Sequence, residues 1–336
     1  MTNDSSRSSS LLSVRKDPVK MRYNNLGGSG LRVSEVSFGS WLTFAGSFDG
    51  AMARQLMRRA FDAGVNFFDN AEVYAKGQSE IMMGEALKEY RREDLVISTK
   101  IFWGGDGPND TGLSWKHLVE GTKGSLRRLQ LEYVDLLYCH RPDPNTPIEE
   151  TVRAMDFLIR QGYAFYWGTS EWSVEELEEA FEIAETYNCI RPTMEQPQYN
   201  MLHRERVERE YQALYEKFNL GLTTWSPLAS GILTGKYNNG VPAGTRLERH
   251  EWLRERLTPE TLDVVRRLAT IAEELQCSLT QLSIAWCLTH PNVSTVILGA
   301  TSEAQLDENL GAIQVRDRIT PEIMRKIDFI LGNRPS

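Results

Sequence analysis

Short apolar runs rich in β-forming residues recur along the chain and are separated by longer amphipathic segments. Several runs, such as Leu95–Ile101 and Val134–His140, are too continuously apolar for strands that have one face in water. Strands of this kind are expected where a parallel sheet is covered on both faces. The eight predicted strands are Val36–Trp41, Val65–Asn70, Leu95–Ile101, Val134–His140, Ala164–Ser170, Thr193–Gln198, Leu220–Pro227 and Thr295–Gly299.

The segments between these runs carry the signals of helix termini. Residues 146–149 have the sequence Thr-Pro-Ile-Glu, which predicts an N-cap threonine, a proline at the first helical position and a capping box. Ser173 and Glu176 predict a second capping box, and a helix over Ala51–Ala63 is predicted to end at Gly64. Strands alternating with helices indicate βαβ units. Eight such units predict an α/β fold, a (β/α)8 TIM barrel.

Two segments depart from the simple alternation of strand and helix. Residues 21–34 contain a Gly-Gly-Ser-Gly sequence and predict an N-terminal β-hairpin that closes the barrel's N-terminal end. Residues 229–278 are longer than one βα unit needs and predict extra helices after the seventh strand, one of them over Pro259–Leu275. A dinucleotide-binding Rossmann fingerprint is disfavoured, because Val33 occupies the place of its third glycine.

Composition narrows the class of protein. The chain has 336 residues, of which 41% are hydrophobic and 25% charged, and its net charge is −8. This balance predicts one globular domain over residues 21–336 after a disordered, serine-rich tail over residues 1–20. The negative charge argues against nucleic acid as a partner, and no apolar run is long enough to predict membrane insertion. The four cysteines form no C-x-x-C pair, which favours reduced thiols, a cytoplasmic protein and no metal site.

Four ionisable residues lie where three neighbouring predicted strands end: Asp69, Tyr74, Lys100 and His140. Catalytic residues of such barrels come from the C-terminal ends of the strands. Taken singly, each residue has a plainer interpretation: a turn aspartate, a loop tyrosine, a lysine at the rim and a buried structural histidine. Their occurrence together at adjacent strand ends favours a catalytic site.

The residue types suggest a specific chemistry. Lys100 ends a very apolar run, so its buried charge requires a partner, and Asp69 is the expected one. The ordinary pKa of tyrosine is poorly matched to proton donation at neutral pH, and an adjacent ammonium group is expected to lower the pKa of Tyr74. His140 is predicted to orient a carbonyl oxygen or to assist proton transfer. Such a site suits an acid that protonates an alkoxide as a hydride arrives.

These four residues resemble the catalytic tetrad of the aldo-keto reductases, and the resemblance extends over residues 21–333. A more specific resemblance is to the β subunits of voltage-gated potassium channels and their plant and fungal relatives. The strings that carry this narrower resemblance are Lys100–Gly104, Arg141–Pro147, Ile148–Met155, Tyr166–Ser170, Thr224–Ala229 and Ile284–Cys287. The resemblance implies NADPH-dependent reduction of aldehydes and ketones, with Tyr74 as general acid, and a homotetramer.

The resemblance also implies an NADP(H) site. Ser170 and Gln196 would hold the nicotinamide carboxamide, Trp225 would stack on the ring, and Ser40 and Trp41 would lie near the nicotinamide ribose. The residues implied for the pyrophosphate, the 2′-phosphate and the adenosine are Ser226, Pro227, Leu228, Ser230, Lys236, Arg246, Gly299, Thr301, Gln305, Glu308 and Asn309. Within this set, Arg246 would face the 2′-phosphate.

One part of this site is also expected from the fold. Barrels often bind phosphate with the loops after strands seven and eight, at a helix N-terminus. Residues 299–302 and Lys236 lie at those places. The plainer alternative, in which Gly299 is a turn residue and Lys236 a solvated charge, stays open.

At three positions this chain departs from the residues that are typical of the proteins it resembles. Asn70 replaces a threonine that commonly follows the catalytic aspartate. Glu171 stands where the animal channel subunits carry arginine, so a contact with cofactor phosphate is not expected there. His140 replaces the asparagine of the animal subunits, and this completes the tetrad and favours active reduction.

Three functions of different classes therefore compete. The first is a carbonyl reductase, and the second is a cytosolic subunit of a membrane potassium channel that uses bound nucleotide as a redox sensor. One nucleotide site could serve both. The third is a Schiff-base lyase with Lys100 as nucleophile, which would have no use for Trp225 or for a 2′-phosphate contact.

Overall fold

Eight parallel strands form a closed barrel in the computed structural model, which describes residues 20–40, 50–249 and 251–335. The order around the barrel follows the chain, and the last strand pairs with both the first and the seventh. The barrel strands are β3 (Val36–Gly39), β4 (Phe67–Asp69), β5 (Val96–Ile101), β6 (Val134–Cys139), β7 (Ala164–Thr169), β8 (Met194–Glu195), β9 (Gly221–Thr224) and β10 (Val293–Leu298). The predicted (β/α)8 fold is confirmed, and each predicted strand overlaps an observed one.

The N-terminal hairpin is also confirmed. Strands β1 (Tyr23–Asn25) and β2 (Arg32–Ser34) pair in antiparallel fashion. Leu26 and Val33 are fully buried and join the apolar side chains that fill this end of the barrel. Gly27 has a φ of +53°, and a Cβ there would lie 2.5 Å from the carbonyl oxygen of Asn219. The turn therefore needs glycine, because the hairpin backbone approaches the barrel so closely.

The helices surround the barrel and cover its outer face. They are α1 (Gly50–Asp62), α2 (Gln78–Leu87), α3 (Trp115–Leu129), α4 (Ile148–Arg160), α5 (Val174–Thr186), α6 (Gln212–Phe218), α7 (Arg246–Arg249), α8 (Pro259–Glu274), α9 (Leu279–Cys287), α10 (Glu303–Leu310), α11 (Ala312–Arg316) and α12 (Pro321–Leu331). Within the described ranges, no helix is both long and apolar enough to cross a membrane.

The two predicted capping boxes have different outcomes. At α5, the Glu176 amide donates to Ser173 Oγ and the Ser173 amide donates to the Glu176 carboxylate, as predicted. At α4, the N-cap prediction for Thr146 is wrong, because Pro147 is the N-cap and makes no side-chain cap. The Thr146 hydroxyl donates instead to Asp143 Oδ2 at 2.7 Å. An N-cap side chain has to accept a hydrogen bond from a helix amide, whereas here the hydroxyl is oriented to donate to a carboxylate in the preceding loop.

The long segment after β9 contains the extra helices that its length predicts. A 3₁₀ segment (Ala229–Thr234) follows the strand, and α7, a second 3₁₀ segment (Glu251–Arg256) and α8 come after it. Helix α8 begins with Pro259, and the side chain of Thr258 caps it by accepting from the Thr261 amide. This segment lies between the last two barrel strands and brings additional polar residues to the C-terminal end of the barrel.

Gly168, the last residue but one of β7, tests how tightly the barrel is packed. A Cβ at this position would lie 2.0 Å from the carbonyl oxygen of Met194 in the neighbouring strand. We expect Gly168→Ala to lower the free energy of unfolding by about 3 kcal/mol, because two paired backbones would be forced apart. Urea denaturation followed by circular dichroism measures the change. Gly30→Ala is the control, since a Cβ there has no neighbour within 4 Å. Equal stability of the two variants would contradict the prediction.

Candidate active site

Adjacent barrel strands bring the four predicted catalytic residues to one end of the barrel. Asp69 is the last residue of β4 and pairs with Ser98 of β5, and Lys100 lies two residues further along β5. His140 directly follows β6, and Tyr74 opens a 3₁₀ turn after β4. Parallel strands end on the same side of a barrel, so all four side chains belong to the C-terminal mouth.

Lys100 is the centre of this group. Its Nζ donates to Asp69 Oδ2 at 2.6 Å, to the Asn70 carbonyl oxygen at 2.7 Å and to Tyr74 Oη at 3.1 Å. The lysine is fully buried and Asp69 is only 3% exposed. Three acceptors therefore use the three hydrogens of the ammonium group, and Asp69 is the partner of Lys100 as predicted.

The charge state of the pair follows from burial and partners. Burial alone would lower the pKa of Lys100, but Asp69 and Tyr74 outweigh it and raise that pKa above the ordinary value. The pKa of Tyr74 is also raised, because burial outweighs the lowering effect of the Lys100 ammonium group. The expectation of a lowered tyrosine pKa is therefore wrong for this state of the protein. Tyr74 is a protonated phenol, held against a permanent cation.

His140 is a neutral imidazole. Burial, followed by the positive charges of Lys100 and Arg141, holds the pKa of His140 well below its ordinary value. Its ring meets the ring of Tyr74 edge-on at a centroid distance of 5.8 Å and that of Trp103 at 5.1 Å. Its Nδ1 is buried and makes no hydrogen bond with any residue that the structure describes. A neutral imidazole has one N–H donor, so His140 suits orientation of a carbonyl oxygen better than release of a proton.

A second set of polar residues holds Asp69 from the other side. Ser98 Oγ donates to Asp69 Oδ1 at 2.7 Å, and Gln196 Nε2 lies 3.3 Å from the same oxygen. Ser170 Oγ donates in turn to the Gln196 carbonyl oxygen at 2.9 Å. The structure therefore brings two residues implied for the nicotinamide, Ser170 and Gln196, directly beside the tetrad. Ser98 was not predicted as a site residue, although a serine inside an otherwise apolar run is a detectable signal.

Arg141 is a further residue that the sequence analysis did not assign to the site. One of its guanidinium nitrogens donates to the His140 carbonyl oxygen at 2.5 Å and to Ser170 Oγ at 3.1 Å. Its guanidinium carbon lies 5.8 Å from the ring centroid of Trp103. Arg141 therefore joins the tetrad to the implied nicotinamide site. Its only sequence signal was its place directly after a predicted catalytic residue.

The residues after β9 form a compact, strained turn. Trp225 follows the strand, and its indole Nε1 donates to Glu171 Oε1 at 2.9 Å. Ser226 and Ser230 both have positive φ angles near +59°. Pro227 and Leu228 lie between them, and Lys236 reaches back so that a Cβ on Gly231 would lie 2.8 Å from its Nζ. Backbone strain of this kind tends to cluster where ligands bind.

The residues predicted for the adenosine, and those of the predicted phosphate loop after β10, gather around α10. The Thr301 amide and hydroxyl both donate to Gln305 Oε1 at 2.9 Å. Asn309 is buried, and its Nδ2 donates to the Gly299 carbonyl oxygen at 3.2 Å. Glu308 lies on the same helix and is exposed. These five residues therefore form one patch beside the end of β10.

Three further predicted residues are Ser40, Trp41 and Arg246. Ser40 directly follows β3, is fully buried, and has a hydroxyl without a hydrogen-bond partner among the described residues. Trp41 lies outside the described residues. Arg246 is the first residue of α7 in the long segment after β9.

The mouth has the donor set that a nicotinamide dinucleotide needs. Buried polar atoms at Ser40 Oγ and His140 Nδ1 have no protein partner among the described residues, although buried polar groups are normally hydrogen-bonded. A single exposed lysine, Lys236, and the strained turn at Ser230 lie on the side of the mouth formed after β9. The residues present therefore fit such a cofactor. Its carboxamide would lie at the tetrad, and its phosphates would lie near the positive charge of Lys236 beyond the tetrad.

Comparison with known proteins agrees with this geometry. The sequence pattern of the aldo/keto reductase family matches residues 35–331, and the chain belongs to this family of oxidoreductases. A protein of Oryza sativa subsp. japonica described as a probable voltage-gated potassium channel subunit beta is 54% identical over 321 residues. That alignment covers 94% of this chain and 98% of the rice protein. A protein of Arabidopsis thaliana with the same description is equally similar, at 54% identity and the same coverage.

The buried ion pair generates a prediction about stability. Lys100→Met would leave the Asp69 carboxylate buried without a counter-charge, so we expect the free energy of unfolding to fall by about 3–5 kcal/mol. The double variant Asp69→Asn/Lys100→Met removes the orphaned charge and should recover part of that loss. Urea denaturation of wild type, Lys100→Met, Asp69→Asn and the double variant gives the coupling between the two sites. A double variant that is less stable than Lys100→Met would show that Asp69 carries no uncompensated charge in the single variant.

Proposed function

We propose that this protein is an NADPH-dependent reductase of aldehydes and ketones, with Tyr74 as the general acid. The observation that carries the proposal is the buried Lys100 ammonium group, which lies 3.1 Å from Tyr74 Oη and 2.6 Å from the Asp69 carboxylate. A protonated phenol beside a fixed cation is the arrangement that proton donation to a developing alkoxide requires.

Each residue of the tetrad has a defined role in this proposal. Tyr74 gives its proton to the carbonyl oxygen, and Lys100 stabilises the phenolate that remains. Asp69 holds Lys100 in place, and neutral His140 donates a hydrogen bond that orients the carbonyl. The reduced nicotinamide supplies the hydride when it is bound. Since Lys100 is fully buried and already saturated by three acceptors, a Schiff-base role for it is disfavoured.

The preference for NADP(H) is part of the same proposal. Ser170 and Gln196 would hold the carboxamide, because both lie beside the tetrad and are linked to one another. Lys236 and the turn at Ser226 and Ser230 would hold the pyrophosphate. The residues around α10 would take the adenosine, and Arg246 would take the 2′-phosphate. Trp225 would provide a flat surface for the nicotinamide ring.

Aromatic side chains indicate the class of substrate. Phe102 and Trp103 follow β5, and their rings meet at a centroid distance of 4.6 Å. Trp103 is 37% exposed and packs edge-on against His140 at 5.1 Å. One wall of the site beside the tetrad is therefore apolar and flat. This surface favours small aromatic or apolar aldehydes as substrates.

The role of Tyr74 generates a test. Tyr74→Phe removes only the acidic hydroxyl, so we expect turnover of aldehydes to fall by about 10²–10⁴-fold. The dissociation constant for NADPH should stay within about twofold, since the variant removes no phosphate or amide contact. Oxidation of NADPH is followed across a panel of aldehydes and ketones, and NADH is compared in parallel.

The matched control for Tyr74→Phe is the same substitution at a tyrosine outside the site. Tyr187→Phe removes a hydroxyl from a tyrosine that is 45% exposed and lies on the loop after α5, away from the tetrad. A proportional loss of turnover and of NADPH binding in Tyr74→Phe would contradict the acid role. Equal turnover with NADPH and NADH would contradict the proposed 2′-phosphate contact.

A second candidate function is favoured by the two plant relatives, whose descriptions name a potassium channel subunit. In this alternative the protein is a cytoplasmic homotetramer that docks on a channel and responds to the redox state of bound NADP(H). We expect the purified full chain to have the mass of a tetramer in multi-angle light scattering. It should also co-elute with the cytoplasmic N-terminal tetramerisation domain of a voltage-gated potassium channel from the same genome. A genome without such a channel, or a monomeric chain, would remove this alternative.

A further inference from the structure

Glu171 is a residue for which the family resemblance supplies no role. It follows β7 by two residues and has a φ of +63°, a left-handed conformation that a non-glycine residue adopts only at a cost. Its side chain is 20% exposed. A residue held in this conformation at a strand end indicates that surrounding contacts determine its position.

Those contacts join the ends of three barrel strands. Glu171 Oε1 accepts from the Gln198 amide at 2.6 Å and from Trp225 Nε1 at 2.9 Å. Glu171 Oε2 accepts from Arg206 Nη1 at 3.1 Å, and the same nitrogen donates to the Glu171 carbonyl oxygen. Both carboxylate oxygens are therefore occupied by donors from the segments that follow β8 and β9.

The backbone of Trp225 is held as firmly as its side chain. Its amide donates to the Pro197 carbonyl oxygen at 3.2 Å, and its carbonyl oxygen accepts from the Tyr199 amide at 3.2 Å. Asn200 Nδ2 donates to the carbonyl oxygen of the next residue, Ser226, at 2.9 Å. With the backbone fixed, rotation of the indole about its side-chain bonds is the remaining freedom. The bond from Nε1 to Glu171 restricts this rotation.

We propose that Glu171 is a positioning residue that locks the Trp225 indole in the orientation needed to receive the nicotinamide ring. The inference rests on the proposed role of Trp225 in cofactor binding. An aromatic surface that is already oriented binds its ligand without the entropic cost of ordering a side chain. An acceptor is needed here, because the indole N–H, the Gln198 amide and the Arg206 guanidinium group are all donors. Arginine, which has no acceptor, could not replace it.

Two substitutions at Glu171 test the acceptor. Glu171→Ala should raise the dissociation constant for NADPH about tenfold, the size of effect expected for loss of a hydrogen bond to a charged acceptor. Glu171→Gln keeps one carbonyl oxygen as acceptor and should stay within about threefold of wild type. The matched control is Glu210→Ala, which removes another carboxylate partner of Arg206, at 3.5 Å, without touching Trp225. It should leave NADPH binding unchanged.

A double-mutant cycle separates positioning from general stability. If Glu171 acts through the indole, Glu171→Ala should change the NADPH dissociation constant by less than about twofold in a Trp225→Phe background. An unchanged tenfold effect in that background would overturn the proposal, because it would show that Glu171 acts through another contact. The same four proteins are compared by urea denaturation to confirm that each is folded.

A measurement without nucleotide tests the orientation itself. In protein labelled with 5-fluorotryptophan, the resonance missing from Trp225→Phe identifies Trp225 in the ¹⁹F NMR spectrum. We expect one sharp resonance in wild type and in Glu210→Ala, and a shifted, broadened or split resonance in Glu171→Ala. An unaltered resonance in Glu171→Ala would overturn the proposal. A third outcome separates the two proposals. If wild type binds no NADPH but its Trp225 resonance still differs from that of Glu171→Ala, the proposed function is refuted and the positioning of Trp225 by Glu171 stands.

Discussion

The buried ion pair between Lys100 and Asp69 is the interaction on which the rest of the site depends. A fully buried ammonium group is costly to desolvate, and a single carboxylate seldom repays that cost. Here the lysine also donates to the Asn70 carbonyl oxygen and to Tyr74 Oη, and Asp69 receives the Ser98 hydroxyl. The network is satisfied because the barrel brings β4 and β5 into register at this point. Because all three hydrogens of the Lys100 ammonium group are bonded, its positive charge stays permanently beside the Tyr74 hydroxyl.

The two ends of the barrel have different physical characters. At the N-terminal end, the hairpin residues Leu26 and Val33 close the barrel with an apolar cluster, which serves stability. At the C-terminal end, positive φ angles occur at Glu171, Ser226 and Ser230, and buried polar atoms lack protein partners within the described part of the chain. Strain and unsatisfied polarity cost stability, so the well-packed barrel must support them. This division is typical of barrels whose function lies at the C-terminal mouth.

Membership of the aldo/keto reductase family and similarity to proteins described as channel subunits are compatible in physical terms. The tetrad geometry concerns chemistry at the mouth of the barrel and does not depend on whether an outer surface of the protein binds a partner. His140 is the residue that gives the reductase interpretation its strength, since its neutral imidazole completes the set of groups around the proposed carbonyl position. Glu171 adds a further contact at the mouth, because its carboxylate accepts a hydrogen bond from the Trp225 indole at 2.9 Å.

Periodicity and residue chemistry determined much of this protein from its sequence alone. The eight apolar runs predicted the barrel strands, the glycines at residues 27–30 predicted the hairpin, and the strand ends identified Asp69, Lys100 and His140 as neighbours. These features are local, or they follow from the rule that parallel strands end together, so they can be read from the order of residues.

Only the tertiary structure decided the electrostatics and the contacts between loops. The pKa of Tyr74 depends on a balance between burial and the Lys100 charge, and burial is a property of the packed molecule that sequence spacing does not contain. Thr146 donates its hydroxyl to Asp143 and does not cap the helix, because the folded loop places this carboxylate beside it and the helix begins one residue later than predicted. The bond between Glu171 and Trp225 joins residues 54 positions apart. Unlike the pairing of Lys100 with Asp69, it involves no charge inside an apolar run that would signal a buried partner.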